Sequence, residues 1–250
     1  MDDKNYFLCK AKVYEQTERW DDMAESMVKV AEFKHGLTTE ERDLFSVAFK
    51  NSIGPKRSAL KIISGIGDKT DTPEKLDIIQ ELKDKVAQEV RDICNNVQNE
   101  IDQTLFQLSN MWEKYSVHLS ACWSADVSVT LSIPLLRKGD YYQYLVEVTT
   151  DDISKKQAME KCQKQYQVAF DIALDNLSPI HPLRLALALN VSLFYYEILN
   201  LPERACGLAE TAFNAAIAEV DDKREDYCKD STAIMQQLRD NLTLWGSQDY

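Results

Sequence analysis

Residues 38–59 read TTEERDLFSVAFKNSIGPKRSA. Thr38 and Thr39 followed by Glu40 and Glu41 give a hydroxyl cap and an acidic first turn, the way an α-helix opens. After Gly54-Pro55 the next cluster of breakers runs from Gly65 to Pro73, so the stretch predicts one helix over 38–68. Gly54-Pro55 should bend it, because proline lacks an N–H and crowds the preceding turn. Lys50 and Arg57 lie seven residues apart on this helix. Two turns put both cations on one face, where they can converge on one anion. The arginine fork suits a phosphate because it donates two hydrogen bonds. Taken alone, such a pair more often marks a solvated face.

Working outward, Gly and Pro cluster at Gly36, Gly54-Pro55, Gly65–Pro73, Pro134–Gly139, Pro179–Pro182, Pro202 and Gly246. They divide a chain rich in Glu, Lys, Gln, Leu and Ala into helical segments. Helices are predicted at 3–16, 19–33, 38–68, 74–106, 135–150, 154–177, 182–200, 203–220 and 226–245. In the fourth, Leu76, Ile79, Leu82, Val86, Val90, Ile93 and Val97 recur at three- and four-residue steps. Val127 to Ile133 alternates apolar and small polar residues, which predicts a short extended piece. Short links between helices argue for antiparallel pairs. No period of about 34 residues supports tetratricopeptide repeats.

The chain has 250 residues, 44% apolar, enough for a sizeable core. A net charge of −12 repels nucleic acid and anionic membranes, so neither is expected as a partner. No apolar run is long enough to span a bilayer. Cys9, Cys94, Cys122, Cys162, Cys206 and Cys228 are scattered and form no Cys-x-x-Cys pair. His35, His118 and His181 lack metal-ligand spacing, so no metal or cofactor is expected. The cysteines read as reduced thiols of a cytosolic protein. No signal peptide opens the chain, and the sequons at Asn190 and Asn241 fall inside predicted helices.

Catalytic motifs are missing too. Three scattered His support no Ser-His-Asp or Cys-His set, and Gly65-Ile-Gly67 is too little for a dinucleotide fingerprint. The expectation is a protein that is not an enzyme. Asn190, Leu193 and Glu197 share one helical face, and Ile234, Leu238, Asn241 and Trp245 share another. An Asn amide both donates and accepts, which suits gripping an extended main chain. Pattern alone favours ordinary helix packing with polar residues at its rim in both cases.

Four stretches, in order, resemble the 14-3-3 family: RDLFSVAFKNSIGPKRS at 42–58, KGDYYQYLVE at 138–147, HPLRLALALNVSLFYYEI at 181–198 and RDNLTLW at 239–245. The resemblance implies an all-α fold of about nine antiparallel helices, a cup-shaped dimeric superhelix, with 1–246 as a single domain and 247–250 a short tail. It implies an adaptor that binds phosphoserine or phosphothreonine peptides of client proteins, cytoplasmic and also nuclear. By position, Lys50, Arg57 and Tyr144 would hold the phosphate, with Lys138 at the groove edge. Asn190 and Asn241 would bond the peptide main chain. Glu197 and Trp245 would support the far wall, and Val47, Leu193 and Leu238 would supply apolar wall. Arg19 and Asp22 would pair with Glu89 and Lys85 of a partner subunit, in a homodimer or a heterodimer with paralogues. Val13, Thr17, Ala59 and Leu82 fall in the same implied interface.

The chain also departs from the family. Gln143 stands where the family places an Arg, replacing a charged donor by a neutral amide at the phosphate site. Ala233 and Gln237 replace common Leu positions, Ala59 removes a phosphorylatable Ser, and Leu82 replaces a Tyr. The link at 106–134 is about fifteen residues longer than the family norm, a length often associated with function, although extra helix turns capped by packing are the favoured reading. It carries Trp112, Tyr115, Cys122 and Trp123. Little of the family's acidic tail follows Trp245. These changes leave open an alternative, a dimeric helical scaffold whose groove no longer requires phosphate.

Overall fold

The computed structural model describes residues 3–33, 37–115, 125–223 and 229–246. Among them the chain forms α1 (Asp3–Gln16), α2 (Trp20–Ala31), α3 (Thr39–Gly67), α4 (Pro73–Tyr115), α5 (Ala125–Val148), α6 (Asp152–Asn176), α7 (Pro182–Leu193), α8 (Pro202–Lys223) and α9 (Lys229–Gly246), with no strand. A π turn, Phe194–Ile198, continues α7. The helices fall into two compact units: Met1–Ser109 with Glu147–Thr149, and Asn110–Val146 with Thr150–Tyr250.

The first unit is built on α3. Its cap forms as the sequence predicts: Glu41 N–H donates to Thr38 Oγ1, and Thr38 N–H donates to Glu41 Oε2, at 3.3 and 2.7 Å. Lys4 Nζ adds a bond to the same carboxylate at 2.9 Å, tying α1 to the start of α3. Burial pushes the Glu41 carboxyl up, but these donors outweigh it and leave its pKa below the ordinary value. Met23, Met27 and Val30 of α2, Phe45, Phe49 and Ile53 of α3, and Val90, Cys94 and Val97 of α4 are buried. As the single helix predicted over 38–68 requires, α3 runs on through Gly54-Pro55.

The second unit packs α5 to α9. Tyr166, Leu185, Leu189, Phe194, Leu238 and Trp245 form its main core, with Ala205, Ala209 and Ala216 bringing α8 close. A second cluster joins Ala169, Ala173, Leu177 and Leu187, with Val129 and Leu135 against it. Asp151 caps α6, accepting from Ser154 N–H at 2.7 Å, and His181 Nδ1 caps α7, accepting from Leu183 N–H at 3.1 Å.

Two expectations are corrected. The segment Val127–Ile133 is helical, not extended. Its alternation misleads because Ser128 and Ser132, four residues apart, also share a helical face, and both are fully buried there. The helix bounds beside the link also differ from those predicted: α4 continues to Tyr115 instead of ending near 106, and α5 starts at Ala125 instead of 135 and passes through Pro134. Val129 and Leu135 pack against the cluster of Ala169, Ala173, Leu177 and Leu187, burial that works against what proline costs the helix. Trp112 and Tyr115 lie within α4, whereas Cys122 and Trp123 fall outside the described residues.

Gly139 shows how closely α5 and α6 approach. A Cβ there would overlap the Tyr166 ring, which is 1% exposed and has nowhere to move. Gly139→Ala should therefore destabilise the protein by roughly 1–3 kcal/mol despite the better helix propensity of Ala, a loss that urea unfolding would measure.

Candidate functional site

In the first unit, Lys50 and Arg57 project from α3, and Lys50 is exposed. Arg57 is gripped by Glu147: its Nε and Nη2 donate to the two carboxylate oxygens at 2.8 and 2.6 Å. The two side chains are 26 and 24% exposed, so this fork-to-fork pair is partly desolvated and firmer than an ordinary surface pair. Arg91 Nη1 donates to the Val148 carbonyl at 3.1 Å and fixes the backbone beside Glu147. Cys94 is buried next to this pair. Burial, reinforced by the negative charge of Glu147, pushes its thiol up to about 12, so it stays protonated at neutral pH.

In the second unit, Asp140 is the hub. Its Oδ1 accepts from Tyr166 Oη at 2.6 Å and from Asn190 Nδ2 at 2.9 Å. Burial and the adjacent Asp140 charge push the Tyr166 hydroxyl well above its ordinary pKa, so it remains a donor. Tyr166 Oη also lies 3.2 Å from Gln143 Oε1. A hydroxyl carries one proton, and the shorter contact to a carboxylate holds it more strongly than the amide does. Asn190, committed through Nδ2 to Asp140, keeps its carbonyl oxygen as an acceptor. Tyr144 packs edge-on against Tyr141, with ring centroids 5.4 Å apart, and Lys138 is half-exposed.

The remaining expected site residues divide by exposure. Glu197 is exposed on the π turn, and Leu193 and Asn241 are half-buried. Leu238 and Trp245 are core residues. Leu238 has no exposed surface, and Trp245 stacks on Tyr196 with centroids 4.6 Å apart. The Ile234–Leu238–Trp245 stripe thus faces the interior of the second unit, so Leu238 is a packing residue before it is a wall. Val47 is exposed on α3.

The residues expected at a subunit interface all lie in the first unit. Arg19 Nε donates to Asp22 Oδ2 at 2.6 Å, so these two charges pair with each other within the chain. Thr17 Oγ1 bonds back to the Val13 and Tyr14 carbonyls. Val13 and Leu82 are exposed, as is Lys85, while Glu89 and Ala59 are half-buried.

Residue-by-residue reading missed Asp140, Tyr166, Glu147 and Arg91. Asp140 and Glu147 sit within the 138–147 stretch, at turn spacings from Gln143. Tyr166 and Arg91 carried no signal, because each acts through long-range packing.

These side chains are pre-set donors, acceptors and cations on helices. Among the described residues no group of His, Cys, Asp and Glu is disposed to hold a metal ion, and His181 is engaged as a cap. Among the described residues the frame that carries these groups is entirely helical. The sequence matches the family described as 14-3-3 protein over residues 10–246. It is 48% identical over 247 residues to 14-3-3-like protein 2 of Caenorhabditis elegans, covering 98% of this chain and 93% of that one. It is likewise 48% identical over 246 residues to 14-3-3 protein theta of Gallus gallus (98 and 94% covered). With 14-3-3 protein beta/alpha-1 of Oncorhynchus mykiss it shares 47% over 248 residues (99 and 95% covered). The chain belongs to the 14-3-3 family of phosphopeptide-binding adaptors.

Tyr166→Phe removes one hydroxyl and keeps the ring that fills the core. Losing a bond to a carboxylate should cost about 1.5–3 kcal/mol in urea unfolding. An unchanged midpoint would mean that the Asp140 hub contributes little.

Proposed function

We propose that this chain binds phosphoserine- or phosphothreonine-containing segments of client proteins through a phosphate site weaker than the family pattern. Lys50, Arg57 and Tyr144 are the proposed phosphate ligands, Lys138 the groove edge, and Asn190 and Asn241 the main-chain ligands. The observation that carries the reading is Asn190, held by Asp140 through Nδ2 so that its carbonyl oxygen is presented as an acceptor. An extended peptide N–H is the natural donor to it. Gln143 supplies no charge where the family has Arg, and losing one charged donor weakens binding by roughly 1.5–3 kcal/mol, about ten- to a hundredfold.

We take residues 1–246 as one 14-3-3 domain working as a dimer, without catalytic activity, among cytoplasmic and nuclear signalling proteins. No described helix is long and apolar enough to cross a membrane. Val13 on α1, Ile62 and Ile66 near the end of α3, and Ile78 and Leu82 at the start of α4 are large apolar side chains left exposed, which supports a dimer. On pairing, Arg19 and Asp22 would exchange each other for Glu89 and Lys85 of the partner copy.

A fluorescent Arg-Ser-x-pSer-x-Pro peptide and its unphosphorylated twin, titrated against wild type and Gln143→Arg, test the phosphate site. The phosphorylated form should bind alone, and the substitution should tighten it at least tenfold. Equal binding of both twins would replace this reading by the scaffold whose groove does not require phosphate. For the dimer, Leu82→Asp buries a charge in the proposed interface and should weaken self-association at least tenfold in sedimentation velocity. A wild type that sediments as a monomer at micromolar concentration would overturn the dimer.

A further inference from the structure

Tyr166 Oη has more oxygen around it than one hydroxyl can serve. Asp140 Oδ1 lies 2.6 Å away and Gln143 Oε1 3.2 Å away. The hydroxyl has one proton to donate and two lone pairs to accept with. Asp140 takes the proton, because it is charged and its contact is the shorter. Oxygen then faces oxygen between Tyr166 and Gln143, with two negative dipole ends at hydrogen-bond distance. Tyr166 is 1% exposed, so little water reaches the hydroxyl to separate them.

An amide resolves this without a change of shape. Turning Gln143 by 180° about its last bond exchanges Oε1 and Nε2 and moves no other heavy atom. Nε2 then donates to Tyr166 Oη over the same 3.2 Å. Oε1 turns to the other side of a half-buried residue, where water can bond it. The bonds now run in one direction: Gln143 Nε2–H to Tyr166 Oη, then Tyr166 Oη–H to Asp140 Oδ1. Asn190 Nδ2 donates into the same Oδ1 at 2.9 Å. A hydroxyl that accepts a hydrogen bond donates a stronger one, so the Gln143 amide firms the Tyr166–Asp140 contact. All four residues belong to the second unit, on α5, α6 and α7.

We propose that Gln143 is a positioning residue: its amide donates to Tyr166 and, through Tyr166 and Asp140, holds Asn190 in the orientation that offers its carbonyl oxygen to a ligand's main chain. The role rests on Asn190 being a main-chain ligand, the reading above, and it gives Gln143 a part that its lack of charge does not describe.

The test uses the full chain labelled with 15N and 13C, and a fluorescent phosphoserine peptide. The proteins are wild type, Gln143→Met, Tyr166→Phe, Asn190→Ala and the Gln143→Met, Asn190→Ala double variant, each checked for folding by a thermal melt. In wild type the Gln143 NH2 group should exchange with water about tenfold more slowly than a free glutamine amide, and Tyr166→Phe should remove that protection. Met keeps the length of the side chain and removes the donor, so Gln143→Met should shift the Asn190 NH2 resonances. It should also weaken the peptide about threefold, the low end of coupling within one hydrogen-bond network. In the Asn190→Ala background the same substitution should cost nothing, because the residue it acts through is gone. An unprotected Gln143 amide in wild type, or an equal loss with and without Asn190, would overturn the proposal and leave the phosphopeptide reading standing. Should Asn190→Ala bind too weakly to titrate, the Asn190 resonances decide, and no shift in Gln143→Met overturns it. Should Gln143→Met fail to fold, Tyr166→Phe decides, and protection of the Gln143 amide that survives loss of the hydroxyl overturns it. A wild type that binds no peptide removes the phosphopeptide reading and the positioning role with it.

Discussion

The second unit depends on the close approach of the Tyr166 ring to Gly139. A helix of ordinary residues would hold α6 off α5 by the width of a Cβ. Glycine lets the ring lie against the α5 backbone instead, and this contact fixes the height of the hydroxyl along α5. Asp140 is the next residue, and Tyr166 reaches it at 2.6 Å. Cys162, one turn before Tyr166, donates its Sγ–H to the Gly139 carbonyl at 3.3 Å and ties the same two helices a second time. The polar hub is therefore set by packing. Asn190 on α7 is oriented by a carboxylate that is itself oriented by a buried ring.

This arrangement explains why neutral Gln143 fits the chain. Gln143 lies one turn beyond Asp140 on α5, within reach of Tyr166 Oη. An amide there joins the existing network without bringing a charge that needs its own counter-ion. In the first unit the reverse applies. Arg57 carries its charge on a long side chain with considerable rotamer freedom, and the Glu147 fork removes much of that freedom. The ordering that steadies Arg57 also lowers the local positive potential. Geometry and charge are traded against each other at one ion pair.

Much of this was legible in the sequence. The capping box at Thr38 and Glu41 is a local signal, satisfied within one turn, and the structure forms it as read. Lys50 and Arg57 share a helix because seven residues make two turns whatever surrounds them. The misreading at 127–133 has a general cause, that periodicity does not say what covers a face. The run 127–133 fits period two and also a helical face of small serines, and only its packing against α6 decides. Leu238 and Trp245 lie at the same spacing whether the stripe faces a ligand or a core. The structure puts them in the core, where Trp245 stacks on Tyr196. The Tyr166–Asp140 and Arg91–Val148 bonds join residues 26 and 57 positions apart, which no local pattern can signal.

The fourth helix carries this argument furthest. Its apolar stripe is regular from Leu76 to Val97, yet coverage changes along it. Val90, Ile93, Cys94 and Val97 are buried, whereas Leu76, Ile78 and Leu82 are exposed. A helix of 43 residues is about 65 Å long, far more than the 12 residues of α2 can cover. Each large apolar side chain left in water forgoes about 1.5–3 kcal/mol of burial. Extending a helix past its intrachain cover is reasonable where a second surface supplies the missing contact. Ile62 and Ile66 on α3 and Val13 on α1 add further exposed apolar surface in the same unit. The apolar end of that stripe and the charges at Lys85 and Glu89 lie on one helix, so burial can supply the stability of a dimer while the charges set its register.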